Sequence, residues 1–154
     1  MNKIPDGYTS ITPFIVFDDT TAAIKFYKQA LNAEVNMSMP LSDGTIMYAE
    51  LQIGSAKLMI GAPCCEAEGG EKTKSAQSLG GSPVSFYVYV EDVQTAFDQA
   101  NTAGMTVKKT IEDMFWGDRM GTLTDPFGLE WTIAEHVRDV SPAEMEEAMQ
   151  RMAC

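Results

Sequence analysis

The chain has 154 residues, with 22 Asp and Glu against 11 Lys and Arg, for a net charge of −11. That charge repels phosphate backbones and anionic membrane surfaces at long range, so neither nucleic acid nor a membrane is an expected partner. The length suits one domain with its own core, no run approaches the roughly 20 apolar residues of a spanning helix, and residues 1–6 lack an apolar run of signal length, so a cytoplasmic location is expected.

Residues 9–17 alternate as a strand, and residues 21–30 set Ala22, Ile24, Phe26, Tyr27 and Ala30 at helical spacing. Asp18, Asp19 and Thr20 supply N-cap oxygens just before them. Strands are predicted at residues 34–39, 45–53 and 56–60, separated by the turn signals Ser42-Asp43-Gly44 and Gly54-Ser55. Residues 66–82, rich in Gly, Glu, Lys and Ser and poor in apolar side chains, read as a long exposed linker. The order then repeats, with a strand at 84–90, a helix at 93–103 stopped by Gly104, and strands at 106–112, 121–124 and 129–135. Ser141-Pro142-Ala143-Glu144 has the order of a capping box and predicts a helix from 141. Its Met145, Ala148, Met149 and Met152 share one face, expected to dock on the domain or on a partner subunit.

The recurrence is a repeat. A gapless displacement of 73 positions lays Phe17-Asp18-Asp19 on Val90-Glu91-Asp92, Ala23-Ile24 on Ala96-Phe97, Ala30 on Ala103, Met47 on Met120, and Leu58-Met59-Ile60 on Trp131-Thr132-Ile133. A repeated supersecondary unit pairs with its copy to bury a common core, and two copies point to a closed pair rather than a solenoid. The predicted class is α+β, with two βαβββ modules at about residues 7–63 and 83–137 joined by a linker at 64–82. They form one domain of residues 1–140, followed by a C-terminal helix at 141–154.

Motifs for common chemistries are missing. Cys64, Cys65 and Cys154 make an odd count without C-x-x-C spacing, which suggests neither a redox or zinc motif nor a structural disulfide. Gly-x-Ser-x-Gly, Gly-x-x-x-x-Gly-Lys and Gly-x-Gly-x-x-Gly do not occur. No spacing pairs a cysteine with His136, and Glu50 and Glu130 are not placed at one site, so no catalytic residue is assigned.

The duplicated unit, Asp-x-x-x-Ala-Ile-x-Phe-Tyr at Asp19 to Tyr27, Val90-Glu91-Asp92-Val93 and Asp125-Pro126-Phe127-Gly128 together resemble the vicinal oxygen chelate superfamily of glyoxalases, bleomycin-resistance proteins and extradiol dioxygenases. Phe115-Trp116-Gly117-Asp118-Arg119, the run from Gly121 to Gly128, and Asp139-Val140-Ser141-Pro142 resemble its PhnB-like branch. The resemblance implies a curled mixed-sheet cup. It also implies that metal-using members draw two ligands from each half, typically His, Gln or Glu. Those positions here are Thr12, Met59, Ser85 and Thr132, none of which holds a divalent ion on its own, so neither metal nor cofactor is expected.

His136, the only histidine, reads as an ordinary surface residue. By period-two alternation Glu130 shares the face of Thr132, and Lys57 that of Met59, the plainer alternative being a solvated Lys57–Glu130 pair at the rim. Bringing in Glu50 requires a slipped register that breaks the match between halves. The cup is then lined by Thr12, Phe14 and Val16 on one side and by Ser85, Tyr87 and Tyr89 on the other. Its tyrosines either orient a conjugated ligand or fill the cup as core. Trp116, Asp118 and Arg119 lie in a Gly-flanked loop over it. Arg119 either holds a carboxylate or phosphonate bidentately or pairs with Asp118, Asp125 or Glu112.

The expected function is metal-free binding of a small organic molecule through Thr12, Phe14, Met59, Ser85, Tyr87, Trp116, Arg119 and Thr132. The alternative is a metal-dependent lyase, isomerase or dioxygenase of the glyoxalase kind that recruits Glu50 or Glu130. A third possibility is an interaction module whose cup is filled by its own side chains. A homodimer is expected because family cups are commonly completed across a two-fold interface. Whether the modules pair within one chain or swap between chains is left open.

Overall fold

The computed structural model describes residues 3–64 and 72–152. Its elements are β1 (Phe14–Val16), α1 (Thr20–Ala30), β2 (Glu34–Pro40), β3 (Ile46–Ile53), β4 (Ala56–Gly61), α2 (Ala76–Leu79), β5 (Ser85–Tyr89), α3 (Val93–Ala103), β6 (Thr106–Asp113), β7 (Asp118–Thr124), β8 (Glu130–His136) and α4 (Pro142–Met152). Local chemistry sets the helix ends. Asp19 Oδ1 accepts from the Ala22 N–H at 2.8 Å and Asp92 Oδ1 from the Thr95 N–H at 3.0 Å, so α1 and α3 start on the same kind of cap. Gly104, at φ 120°, stops α3 and returns its N–H to the carbonyls of Ala100 and Asn101. Among the described residues no helix is long and apolar enough to cross a membrane.

The chain divides into two compact units, Met1–Pro83 and Val84–Cys154. Each holds a four-stranded mixed sheet of the same plan, ordered β1-β4-β3-β2 in the first and β5-β8-β7-β6 in the second. The β1–β4 and β5–β8 pairs are parallel and the rest antiparallel. The βαβββ module is thus written twice, and the α+β class agrees with the sequence reading.

One face of each sheet is covered by its helix. Ala23, Tyr27 and Ala30 of α1 are buried in the first unit together with Ala49, Leu51, Leu58 and Ile60. Val93, Phe97 and Ala100 of α3 are buried in the second with Leu123, Trp131 and Ile133, and Trp131 stacks on Phe86 with ring centroids 4.6 Å apart. Gly121 is small because Phe97 lies on it: a Cβ there would stand 2.4 Å from the ring. The opposite face of each sheet carries the candidate site.

Strand register corrects the gapless repeat. Tyr48 pairs with Gly61 and Glu50 with Met59, whereas Met120 pairs with Ala134 and Thr122 with Thr132. Since Gly61 and Met59 correspond to Ala134 and Thr132, the counterpart of Met120 is Tyr48 rather than Met47. The cause is the hairpin. Gln52↔Lys57 encloses residues 53–56, while Thr124↔Glu130 encloses 125–129, one residue more. That longer turn is organised by Asp125 Oδ1, which accepts from the N–H groups of Phe127 and Leu129, each at 2.9 Å. Glu50 therefore reaches the face of Met59 without disturbing the match of β4 with β8, against the expectation that it requires a broken register.

The connecting stretch also differs in part from a loose linker. Within it α2 forms on Ser75, which is buried and whose Oγ accepts from the Ser78 N–H at 3.1 Å, and Ser78 Oγ donates to Asp18 at 3.3 Å. The remainder, residues 65–71, lies outside the described residues, as does the side chain of Met152. At α4 the predicted capping box is formed: the Ser141 N–H donates to Glu144 at 2.9 Å, and the Glu144 N–H to Ser141 Oγ at 3.3 Å. On its apolar face Met145 and Ala148 are half-buried, and Met149 remains 59% exposed.

Candidate functional site

Alternation along three strands assembles a cluster in the second unit. Tyr87 pairs with Thr132, Tyr89 with Ala134, and His136 with Asp118, so these side chains share the face turned away from α3. Immediately before β7, residues 114–117 form a tight turn in which the Gly117 N–H donates to Met114 O at 3.0 Å. Gly117 has φ 101°, and any Cβ would lie 2.0 Å from the Arg138 carbonyl oxygen, so only glycine fits the position that delivers Trp116 and Asp118 to one face.

Asp118, 4% exposed, is the hub. Its Oδ2 accepts from Tyr87 Oη at 3.1 Å, Tyr89 Oη at 2.9 Å and Trp116 Nε1 at 3.1 Å, and its Oδ1 lies 3.0 Å from His136 Nδ1. The far nitrogen of His136, Nε2, is 3.1 Å from the exposed Asp139. Burial pushes the Asp118 carboxyl upward, but the hydrogen bonds from His136, Tyr89, Tyr87 and Trp116 outweigh it and hold the carboxyl below its ordinary value. Its donors respond in kind. Tyr87 is pushed up to about 12, chiefly by burial and then by its bond to Asp118; Tyr89 is raised chiefly by that bond; His136 is raised by Asp118 and then by Asp139. The consequence is an ionised carboxylate whose oxygens are satisfied by side-chain donors and whose donors are locked in orientation.

In the first unit the corresponding face centres on Glu50. Tyr48 Oη donates to Glu50 at 3.3 Å, and hydrogen bonding to Glu50 is the leading cause that raises Tyr8 to about 12. Lys57 Nζ lies 3.9 Å from Glu50 Oε2 and 3.9 Å from the centroid of the Tyr8 ring. Beside them a hollow of about 620 Å³ opens between Glu50, Met59 and the N-terminal residues Ile4, Pro5 and Tyr8. The ring of Phe14 runs parallel to that of Tyr48 at 6.3 Å, and Gly61 leaves room for it, since a Cβ there would stand 2.8 Å from Phe14 Cζ.

The predicted site residues separate accordingly. Tyr87 and Trp116 meet on Asp118, and Thr132, 9% exposed, bonds through Oγ1 to Thr122 Oγ1 at 3.0 Å on the same face. Ser85 is exposed at the other end of β5, level with Glu130, which is bonded to Lys108. Phe14 and Met59 lie on the Glu50 face, and Thr12 precedes β1, half-buried. Arg119 is a correction. It alternates onto the face of Gly121 and Leu123, opposite to Asp118, and its guanidinium bonds Asp113 bidentately at 2.6 and 3.1 Å rather than Asp118, Asp125 or Glu112. A strand that starts at 121 leaves Arg119 in the preceding loop. Because β7 begins at Asp118, residues 118 and 119 already obey alternation. The Lys57–Glu130 pair is likewise replaced, each residue finding its partner within its own unit. His136 is exposed, as expected, but it ends β8 with one ring nitrogen against Asp118 and the other against Asp139.

The metal positions implied by the resemblance were tested on these donors. Thr12, Met59, Ser85 and Thr132 offer three hydroxyls and a thioether, and the Thr132 hydroxyl is already bonded to Thr122. Among the described residues no three of His, Cys, Asp and Glu converge as a metal site. This donor set does not suit zinc, nickel or magnesium.

A family model described as the Glyoxalase/Bleomycin resistance protein/Dioxygenase superfamily matches residues 9–133. An uncharacterized protein of Mycobacterium bovis is 38% identical over 140 residues, covering 91% of this chain and 91% of its own length. Among solved structures, TioX from Micromonospora sp. ML1 superposes with a TM-score of 0.63 at 20% identity, covering 86% of this chain and 100% of that one. A gene product of Arabidopsis thaliana gives 0.64 at 25% identity over 83% of this chain and 99% of its own. A PhnB protein from Bacillus cereus gives 0.60 at 16% identity over 82% and 99%.

Proposed function

Because the chain belongs to the glyoxalase/bleomycin resistance/dioxygenase superfamily, we propose that it is a PhnB-like member that binds a small organic molecule without a resident metal. The observation that carries this reading is Asp118. Where a metal-using site would need carboxylate and imidazole lone pairs free for an ion, Asp118 is already occupied by hydrogens of Tyr87, Tyr89 and Trp116 and by its contact with His136. What these groups offer instead is fixed aromatic surface with polar tips, the combination that orients a flat organic molecule.

The test is calorimetric titration of the chelator-stripped full chain with nickel and with zinc. The expected result is no tight one-to-one binding of either. Tight stoichiometric binding overturns the reading and directs attention to Glu50 and Glu130 as ligands of an enzyme.

A further inference from the structure

The first unit displays what a tyrosine ring beside a carboxylate holds. Lys57 places its ammonium 3.9 Å from the Tyr8 ring centroid and 3.9 Å from Glu50, so the negative face of the ring and the full charge act on the same cation. The second unit contains the same two components in larger amount. Tyr87 and Tyr89 form a wedge of touching rings, with centroids 5.2 Å apart and planes inclined at 47°, and with Asp118 at their hydroxyl tips. They are 44% and 62% exposed, a large fraction for rings whose hydroxyls are both engaged. A phenol donating to a carboxylate is polarised toward phenolate, which enriches its ring and strengthens the pull on a cation.

The Lys and Arg of this unit are engaged away from the two rings. Its five Lys and Arg, set against 13 Asp and Glu, all have acidic partners elsewhere. Lys108 pairs with Glu130, Lys109 with Glu112, Arg119 with Asp113, Arg138 with Glu144 and Arg151 with Glu147. His136 takes the other carboxylate oxygen, Oδ1.

We propose that the Tyr87–Tyr89 wedge backed by Asp118 is a binding site for an organic cation, an ammonium, amidinium or guanidinium group carried on a small flat molecule. This deepens the metal-free binding reading and rests on it. With Oδ2 of Asp118 already taken by three donors, the cation sits over the ring faces, and the carboxylate acts through its charge.

The experiment titrates the full chain with benzamidine and with benzamide, its uncharged flat isostere, following the change in ligand NMR signals. Benzamidine is expected to bind about ten-fold or more tightly than benzamide, as a ring-held and charge-backed cation should. Tyr89→Leu removes both the ring and one donor to Asp118, and is expected to weaken benzamidine about three- to ten-fold, while Tyr89→Phe, which loses the same donor but keeps the ring, retains most of the affinity. Because these variants leave net charge unchanged, they separate the rings from general attraction to an acidic protein. Equal binding of the two probes, no binding of benzamidine, or a Tyr89→Leu variant that binds it normally would each overturn the cation assignment. Benzamide binding with benzamidine excluded would leave the metal-free reading standing, whereas that reading falls separately on nickel or zinc binding.

Discussion

The Glu50 and Asp118 clusters are made of similar parts and differ in who completes them. Glu50 is approached by Tyr8, Tyr48 and the ammonium of Lys57, all on a face that opens to a hollow. Asp118 is closed in by two phenols, an indole and an imidazole, with no Lys or Arg bonded to it. The difference follows from the residues opposite each carboxylate. Met59 stands opposite Glu50 and leaves the carboxylate to share its charge with Lys57, while His136 stands opposite Asp118 and binds it directly. A carboxylate that shares its charge with an ammonium is part of an ion pair, whereas one satisfied by four planar or aromatic donors is a fixed frame.

The sharpest way to break that comparison is to delete each carboxylate. Asp118→Ala removes a buried charged acceptor from four partly exposed donors and is expected to cost about 2–4 kcal/mol, since hydrogen bonds to a charged group contribute more than neutral ones. Glu50→Ala removes a long bond from Tyr48, the interaction with Tyr8 and a 3.9 Å ion pair, and is expected to cost less, about 1 kcal/mol. Urea unfolding midpoints at fixed m-value read the two directly. Equal losses would mean that the Asp118 frame carries no more of the fold than the Glu50 surface.

A second contrast lies on the helix-facing side of the same strands. Gly121, opposite Ile133, corresponds to Ala49, opposite Ile60, and the helix presents Phe97 in one unit where the other has Ile24. Gly121→Ala would force a methyl to within 2.4 Å of the Phe97 ring, and is expected to cost about 1–3 kcal/mol through overpacking. Adding Phe97→Ile restores the pairing used in the first unit and should recover much of that loss. Thermal unfolding of the single and double variants gives the coupling, and strictly additive effects would break the correspondence.

These two contrasts also show how much could be read from residues alone. The repeat, α1, α3, the C-terminal cap and the strands carrying Met59 and Thr132 are legible because caps and alternation act locally. The register of β3 and β7 was not, because one extra residue in the Asp125 turn is invisible to a gapless comparison that still finds Met47 on Met120. The Tyr87 and Trp116 positions were legible as aromatic lining. Their convergence on Asp118 is not legible, because the alternation seen from 121 onward leaves residues 118 and 119 as loop and does not separate the faces of Asp118 and Arg119. His136 is hidden for a related reason: the apolar alternation stops at Glu135, and only one further step of the strand places the histidine opposite Asp118.

The smallest expected effect is in how the two clusters respond to pH. Contact with Asp118, then with Asp139, raises His136 above its ordinary value, so the protonated imidazole is favoured in the folded chain. The resulting stability is fully present below the ordinary histidine value, near pH 6.5, and fades as pH rises through the raised folded value. Asp118 runs the opposite way. Its carboxyl is held low in the fold, so its contribution is present above the ordinary Asp value and fades as pH falls through the lowered one. Stability should therefore show a modest decline on the alkaline side of pH 6.5, and His136→Gln should flatten it while Glu50→Gln leaves it in place. His136 proton signals followed by NMR supply the direct check. A midpoint at or below that of an unstructured histidine would show that the imidazole draws nothing from Asp118 in solution, and the frame would then rest on the two tyrosines and Trp116.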